Sequence, residues 1–133
     1  MVDQQIEFAC RETVTRFLWS LDSREYDALS ATFAEDGVWD RHNEELVGPR
    51  AVRAAMDKRP ADLSTRHLVS NLTVDEEPGG VMLARYLLSA YAQTGPAPAR
   101  LHNIFVAEDR LRRTPQGWRF VRKSVSPAFS AIA

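Results

Sequence analysis

Two side chains have the types and positions of an acid–base pair: Asp22, at the end of a helical segment, and His67, at the start of a strand-like segment. A carboxylate bonded to an imidazole fixes one ring tautomer and leaves the other ring nitrogen free to remove a proton. Such a pair needs neither a metal nor an organic cofactor. Spacing along the chain does not show whether the two residues meet, so this chemistry depends on the fold.

Both residues also have structural interpretations. Asp22–Glu25 has the form of a capping box, in which the aspartate accepts hydrogen bonds from free amides at the start of the next helix. His67 alternates with Thr65 and Asn71 on the more polar face of its strand, so simple alternation predicts that its ring faces solvent. A polar pocket on that side of the sheet would reverse this expectation.

Further candidates lie on the predicted strands. Tyr91 is placed to polarise a carbonyl or a leaving group, although a strand tyrosine also serves as core packing with its hydroxyl at the rim. Asn103 would orient a substrate or bond to backbone, and Trp39 and Met56 also suit a core. We expect a mostly apolar cavity whose substrate-binding wall is formed by Phe17, Trp39, Met56, Leu87, Asn103 and Phe105.

Composition narrows the classes of function. The 133 residues suit one domain spanning 1–133, and a net charge of -1 argues against nucleic-acid or anionic-membrane partners. No apolar run approaches the roughly 20 residues of a membrane span. Cys10 is the only cysteine, which favours a reducing compartment and a cytoplasmic location. His42, His67 and His102 are scattered, so no metal site is predicted.

The hydrophobic pattern gives the order of elements. Helical spacing covers 3–21, 25–34 and 51–58, with Gly37 ending the second helix and a short strand at 38–40. From about residue 65 the period changes to two, which predicts strands over 65–75, 81–93, 100–112 and 118–125. This order indicates an α+β fold in which three helices pack on the concave side of a curved, mainly antiparallel sheet. The resulting cone offers a small-molecule site.

The order of these elements and their local sequences resemble the SnoaL-like branch of the nuclear-transport-factor-2-like superfamily. This branch includes scytalone dehydratase, bile-acid dehydratase and a dehydrochlorinase. The resemblance covers roughly residues 5–127. The segments that carry it are Leu21–Leu29, Phe33–Trp39, Gly48–Val52, Ser64–His67 and Gly117–Phe120.

The resemblance implies roles for particular residues. In the dehydratases, an aspartate closing the first helix pairs with a histidine opening the strand after the third helix, and these positions correspond to Asp22 and His67. Scytalone dehydratase resembles this chain there but has a second histidine where Tyr91 stands. Its pocket tyrosine corresponds to Arg41, so the activating groups differ. The dehydrochlorinase bears a cation near the position of Lys123.

The sequence therefore predicts a cofactor-free lyase or isomerase with an Asp–His dyad. Its expected partner is an apolar, oxygenated cyclic small molecule, such as a polyketide or a steroid. The expected assembly is a homo-oligomer, a dimer or a trimer. Two alternatives remain: a non-catalytic ligand-binding or subunit-assembly module of the same fold, and a polyketide cyclase.

Overall fold

Three helices pack on one curved, six-stranded sheet, and the computed structural model describes residues 2–133 of this α+β fold. The helices are α1 Gln4–Asp22, α2 Tyr26–Ser30 and α3 Gly48–Met56. The strands are β1 Phe33–Asp40, β2 Glu45–Val47, β3 Leu63–Glu77, β4 Val81–Thr94, β5 Arg100–Thr114 and β6 Gly117–Pro127. The sheet order is β2-β1-β6-β5-β4-β3, and only the β1–β6 pair is parallel. The predicted fold class is confirmed.

Helix α1 is the element that carries the candidate carboxylate into the fold. Its N-cap is Asp3, whose side chain accepts hydrogen bonds from the backbone N–H groups of Gln5 and Ile6. The helix then runs without a proline or glycine to Asp22, close to the predicted range 3–21. Its buried stripe faces the sheet and comprises Cys10, Thr13, Val14, Phe17, Leu18, Ser20 and Leu21. No helix within residues 2–133 is long and apolar enough to cross a membrane.

The segment after α1 differs from the prediction. Helix α2 ends at Ser30 rather than at 34, because Phe33 and Ala34 are buried as the start of β1. Gly37 lies inside that strand and does not end a helix. A Cβ at Gly37 would stand 2.4 Å from the carbonyl oxygen of Phe120, so only glycine allows β1 to approach β6 this closely. The short strand β2 was not predicted.

Aromatic rings fill the space between α1 and the β1–β6 part of the sheet. The ring centroid of Phe17 lies 5.1 Å from that of Trp39 and 5.7 Å from that of Phe120, both in edge-to-face geometry. Phe33 packs 5.4 Å from Phe120. Met56 is also fully buried. This part of the cone is therefore a packed core rather than a cavity.

A bulge in β3 decides which way the candidate histidine faces. Between Ser70 and Thr73, three steps along β3 stand opposite two steps along β4, and Asn71 within the bulge has φ of 58°. One extra residue reverses the alternation of faces. Thr65 and His67 therefore point towards α1, and after the bulge so do Leu72 and Val74. Simple alternation wrongly predicted that His67 faces solvent, because the bulge could not be located from the sequence.

Candidate active site

Asp22 and His67 make direct contact where α1 ends beside β3. Nδ1 of His67 lies 2.7 Å from Oδ1 of Asp22, and the backbone N–H of His67 donates to Oδ2 of Asp22 at 2.9 Å. Only 12% of the His67 side chain and 7% of the Asp22 side chain are exposed. The prediction that the two side chains lie within hydrogen-bonding range is confirmed. Because one oxygen of Asp22 contacts the His67 ring and the other accepts from the His67 backbone, Asp22 fixes both the imidazole and this part of β3 against the end of α1.

A second polar group completes the contacts of the carboxylate. The hydroxyl of Thr65 donates to Oδ1 of Asp22 at 2.8 Å, and Nη2 of Arg59 donates to the same hydroxyl oxygen at 3.1 Å. A guanidinium can only donate, so the Thr65 oxygen accepts from Arg59 and directs its own hydrogen to Asp22. Arg59 thus acts on the carboxylate through Thr65.

The loop between α3 and β3 is fixed to the end of α1 by two arginines. Arg59 also donates to the carbonyl oxygen of Leu21 at 3.1 Å and to the hydroxyl of Tyr26 at 3.0 Å. Arg24 donates to the carbonyl oxygen of Pro60 at 2.7 Å and to that of Leu63. Arg24 has φ of 59°, a left-handed conformation that directs its backbone away from a continued helix. These contacts position β3 against Asp22.

The capping interpretation of Asp22 is wrong in this structure. The N-cap of α2 is Glu25, and no side chain caps that helix. The oxygens of Asp22 accept hydrogen bonds from His67 and Thr65 instead. Asp22 therefore belongs to the polar site and not to the start of α2.

The ionisation of Asp22 and the tautomer of a neutral His67 ring follow from these contacts. Burial opposes ionisation of Asp22, but the hydrogen bonds from His67 and Thr65 outweigh it and hold the pKa of this carboxyl below its usual value. An ionised carboxylate only accepts hydrogen bonds, so Nδ1 of His67 carries a hydrogen. Nε2 of neutral His67 is then the unprotonated nitrogen and can serve as a base.

The pair lies in the wall of a groove of about 460 Å³ between α1 and β3. We call it the dyad groove. Apart from the pair itself, Arg66 is its only charged wall residue. Trp19 and Leu68 are 65% and 54% exposed, so the groove opens to solvent on one side. The residues that line it are Thr15, Leu18, Trp19, Asp22, Arg66, His67, Leu68 and Val69.

The predicted substrate wall is not brought to the dyad groove. Phe17, Trp39 and Met56 are sealed in the core, which corrects their predicted placement. Asn103 and Phe105 share the inner sheet face, opposite Ala90 and Leu88. They are not wall residues of the groove, and Oδ1 of Asn103 accepts from the N–H of Ile104.

Tyr91 and Leu87 require a stronger correction, because they lie on the opposite face of the sheet. Tyr91 pairs with Arg66, and His67 pairs with Ala90, so Tyr91 and His67 point to opposite faces. Leu87 lies four residues before Tyr91 on β4, so its side chain points to the same face as that of Tyr91. Tyr91 lies one strand in from the sheet edge and is not a wall residue of the dyad groove, so the predicted catalytic partnership of Tyr91 with His67 is wrong in this geometry.

Sequence reasoning missed the residues that form the actual wall. Trp19 precedes Asp22 by three residues and so lies on the same side of α1, which helical spacing could have shown. Thr65 precedes His67 by two residues on one strand face, which alternation could have shown. The participation of Arg59 depends on how the loop folds back, and no local pattern indicates it.

A second ionisable cluster is buried beneath the aromatic core. Nζ of Lys123 donates to Oδ2 of Asp109 at 2.8 Å and to the hydroxyl of Tyr86 at 2.9 Å. Burial raises the pKa of Asp109 and lowers that of Lys123, while the ion pair opposes both changes. The Lys123 side chain is 2% exposed, and Nζ lies 4.3 Å from the ring centroid of Phe17. The cluster is closed off from the dyad groove.

Within residues 2–133 no group of three or more histidine, cysteine, aspartate or glutamate side chains is arranged to hold a metal ion. The dyad groove offers one histidine and one carboxylate, and that carboxylate already accepts three hydrogen bonds.

A curved sheet covered by three helices, with an Asp–His pair where α1 meets β3, defines a class of protein. Comparison with known families agrees with this class. Residues 6–124 match the family model described as a SnoaL-like domain. The chain belongs to this SnoaL-like family of the nuclear-transport-factor-2-like superfamily. No curated protein matches the sequence significantly.

Solved structures share the whole fold. An NTF2-like protein with a cystatin-like fold from Novosphingobium aromaticivorans is 26% identical, has a TM-score of 0.82, and aligns over 94% of this chain and 83% of its own. A scytalone dehydratase-like protein from the same organism is 19% identical, with a TM-score of 0.82 and coverage of 94% and 86%. A Catenulispora acidiphila protein in complex with S-DNPA is 17% identical, with a TM-score of 0.81 and coverage of 92% and 93%. The last two likenesses establish the fold alone.

Proposed function

We propose that this protein is a cofactor-free lyase or isomerase of the dehydratase type, in which His67 removes a proton alpha to a carbonyl group. The observation that carries the proposal is the 2.7 Å contact between Nδ1 of His67 and Oδ1 of Asp22 in the wall of the dyad groove. It leaves Nε2 as the free base. Membership of the SnoaL-like family supports the same chemistry.

The division of labour follows from the contacts. When His67 accepts a proton at Nε2 it becomes an imidazolium, and the ionised Asp22 directly beside Nδ1 stabilises that charge. Asp22 itself stays ionised, because His67 and Thr65 both donate to it. A positioned general base contributes on the order of 10²–10⁴-fold to such a step. Expulsion of a β-hydroxyl as water, with the proton returned by His67, would complete a dehydration, and reprotonation at carbon would give an isomerisation.

The walls of the dyad groove favour an apolar substrate with few polar groups. Trp19, Leu18, Leu68 and Val69 supply its apolar surface. A cyclic ketone with an oxygen substituent, such as a polyketide or a steroid, would place its ring against this surface and its acidic carbon at His67. The proposed partner is thus a small molecule. A homo-oligomer and a cytoplasmic location remain predictions from the sequence.

Deuterium exchange tests this function without knowledge of the leaving group. The protein would be incubated in D₂O with apolar cyclic ketones such as 2-tetralone, and incorporation of deuterium alpha to the carbonyl would be followed by NMR. We expect exchange above the buffer rate for the wild type, and a rate at least a hundredfold lower for folded His67→Ala, given the usual contribution of a general base. Asp22→Asn should also lose most of the exchange.

The matched control is His102→Ala, which removes an exposed histidine outside the dyad groove and should leave exchange unchanged. Saturable ketone binding without exchange in the wild type would favour the ligand-binding module instead. Exchange followed by carbon–carbon bond formation in a polyketone probe would favour the cyclase. Equal exchange in wild type and His67→Ala would refute the proposed role of His67.

A further inference from the structure

The dyad groove has a floor made of backbone, because β3 is the last strand of the sheet. β4 pairs with only one of its edges, and the other edge faces α1. In an antiparallel pair, the N–H and C=O of one residue point to the same edge, and consecutive residues alternate between the two edges. Every second residue of β3 therefore presents both backbone groups to the free edge.

The observed contacts show which residues these are. Leu63 donates its N–H to the carbonyl oxygen of Pro60 at 3.2 Å, outside the β3–β4 pairing. The carbonyl oxygen of Thr65 accepts from the guanidinium of Arg66 at 2.7 Å. The N–H of His67 donates to Asp22 at 2.9 Å. The odd-numbered residues therefore use the free edge, and Val69, which pairs regularly with Leu88 before the bulge, is the next in this series.

Helix α1 covers this edge at two places and leaves it open between them. Asp22 takes the N–H of His67, and Arg11 donates to the carbonyl oxygen of Leu72 at 3.0 Å. Between these contacts lies the dyad groove, and Val69 is one of its wall residues. No side chain or loop carbonyl within residues 2–133 accepts a hydrogen bond from the Val69 N–H.

Resting on the proposed function, we propose that the backbone N–H of Val69 binds the substrate's carbonyl oxygen and stabilises the oxyanion formed when His67 removes the adjacent proton. Two residues along a strand span about 6.6 Å. A carbonyl oxygen bonded at Val69 would therefore lie two residues along the strand from His67, at the edge where Asp22 holds both the backbone N–H and the ring of His67. The Val69 N–H would thus have the role of polarising the carbonyl, which the sequence analysis assigned to Tyr91.

The electron balance of the step is simple. Nε2 of His67 takes the α-proton, the C–H electron pair forms the carbon–carbon double bond of an enolate, and the negative charge moves to the oxygen. The N–H of Val69 donates to that oxygen. The pair then returns to carbon, which takes up a proton or a deuteron, or it expels a β-hydroxyl that leaves as water with the proton from His67. A fixed N–H in such a position contributes roughly 10²–10³-fold to the rate.

Replacing one peptide bond by an ester tests the donor selectively. Incorporation of the α-hydroxy analogue of valine at position 69 replaces the N–H by oxygen and retains the side chain. Because this N–H does not pair with β4, the sheet should be retained, as checked by circular dichroism. We expect α-deuterium exchange of 2-tetralone to fall roughly 10²–10³-fold. His102→Ala, which changes an exposed side chain outside the dyad groove, should stay within about threefold of the wild type.

A second measurement separates this inference from the proposed function. In ¹⁵N-labelled protein titrated with 4-nitrophenolate, a stable aromatic oxyanion, the Val69 amide proton should move downfield more than those of Leu68 and Ser70. This readout does not depend on catalysis. Shifts at the Trp19 indole without a shift at Val69, or no shift in the dyad groove at all, would overturn the inference even if exchange occurs. It would also be overturned if the ester variant exchanged at the wild-type rate, or if Thr15→Val abolished exchange while the ester did not.

Discussion

Removal of the Thr65 hydroxyl should weaken the dyad without touching either of its members. Asp22 accepts three hydrogen bonds, two from His67 and one from Thr65, and Arg59 fixes the direction of the last. Thr65→Val keeps the shape of the side chain and deletes this one donor. A hydrogen bond to a charged group contributes about 1.5–3 kcal/mol.

The lower end of that range applies, because the two hydrogen bonds from His67 still satisfy the carboxylate. A loss of about 1.4 kcal/mol corresponds to a factor of ten, so we expect α-deuterium exchange to fall roughly tenfold. The assay is the rate of exchange into 2-tetralone at saturating ketone. Thr65→Ser, which keeps the hydroxyl, should remain within about threefold of the wild type. An unchanged rate in folded Thr65→Val would refute the reasoning that Thr65 supports the carboxylate.

The same variant should change the pH dependence in a defined direction. Hydrogen bonds hold the pKa of Asp22 below its usual value, so the stability they contribute is present above the unfolded pKa and is lost as pH falls through the folded pKa. Without the Thr65 hydroxyl the pKa of Asp22 rises. The acid-side loss of stability should therefore move to higher pH in Thr65→Val, and a shift to lower pH would contradict this account.

Three further predictions concern the core. Burial raises the pKa of the Cys10 thiol to about 11, so Ellman's reagent should label it only after unfolding; rapid labelling of folded protein would contradict this. Lys123→Met leaves Asp109 buried without its cation and should lower the free energy of unfolding by about 3–5 kcal/mol, whereas Lys123→Met combined with Asp109→Leu should recover part of that loss in urea titrations. Gly37→Ala forces a Cβ to within 2.4 Å of the Phe120 carbonyl oxygen and should cost about 1–3 kcal/mol; a wild-type urea midpoint would show that β1 moves away without cost.

The fold was predictable because its signals are local and repeated. The apolar stripe of α1 and the alternation of apolar and polar residues after residue 65 each extend over many positions. Single residues that depart from the pattern therefore did not obscure it. Failures occurred where a tertiary contact overrides local preference. Phe33 and Ala34 continue a helical pattern in sequence, but pairing with β6 places them in a strand.

The site was predictable at Asp22 and His67 but not around them. Their pairing came from the family resemblance, and the facing of His67 depends on the bulge at Asn71. The predicted substrate-binding wall was wrong because the inner face of each strand was assigned from the alternation of that strand alone. Leu87 and Tyr91 alternate correctly with their neighbours, and only the register of β4 against β3 shows that their face is the outer one.

The central claim is that His67 acts as a base, and the most direct measurement is α-deuterium exchange by folded His67→Ala with and without added imidazole. The account predicts exchange at the buffer rate for the variant alone. It predicts partial recovery with imidazole that increases as the imidazole becomes unprotonated, because the missing group is a neutral ring nitrogen. Exchange by His67→Ala at the wild-type rate in the absence of imidazole would contradict the claim.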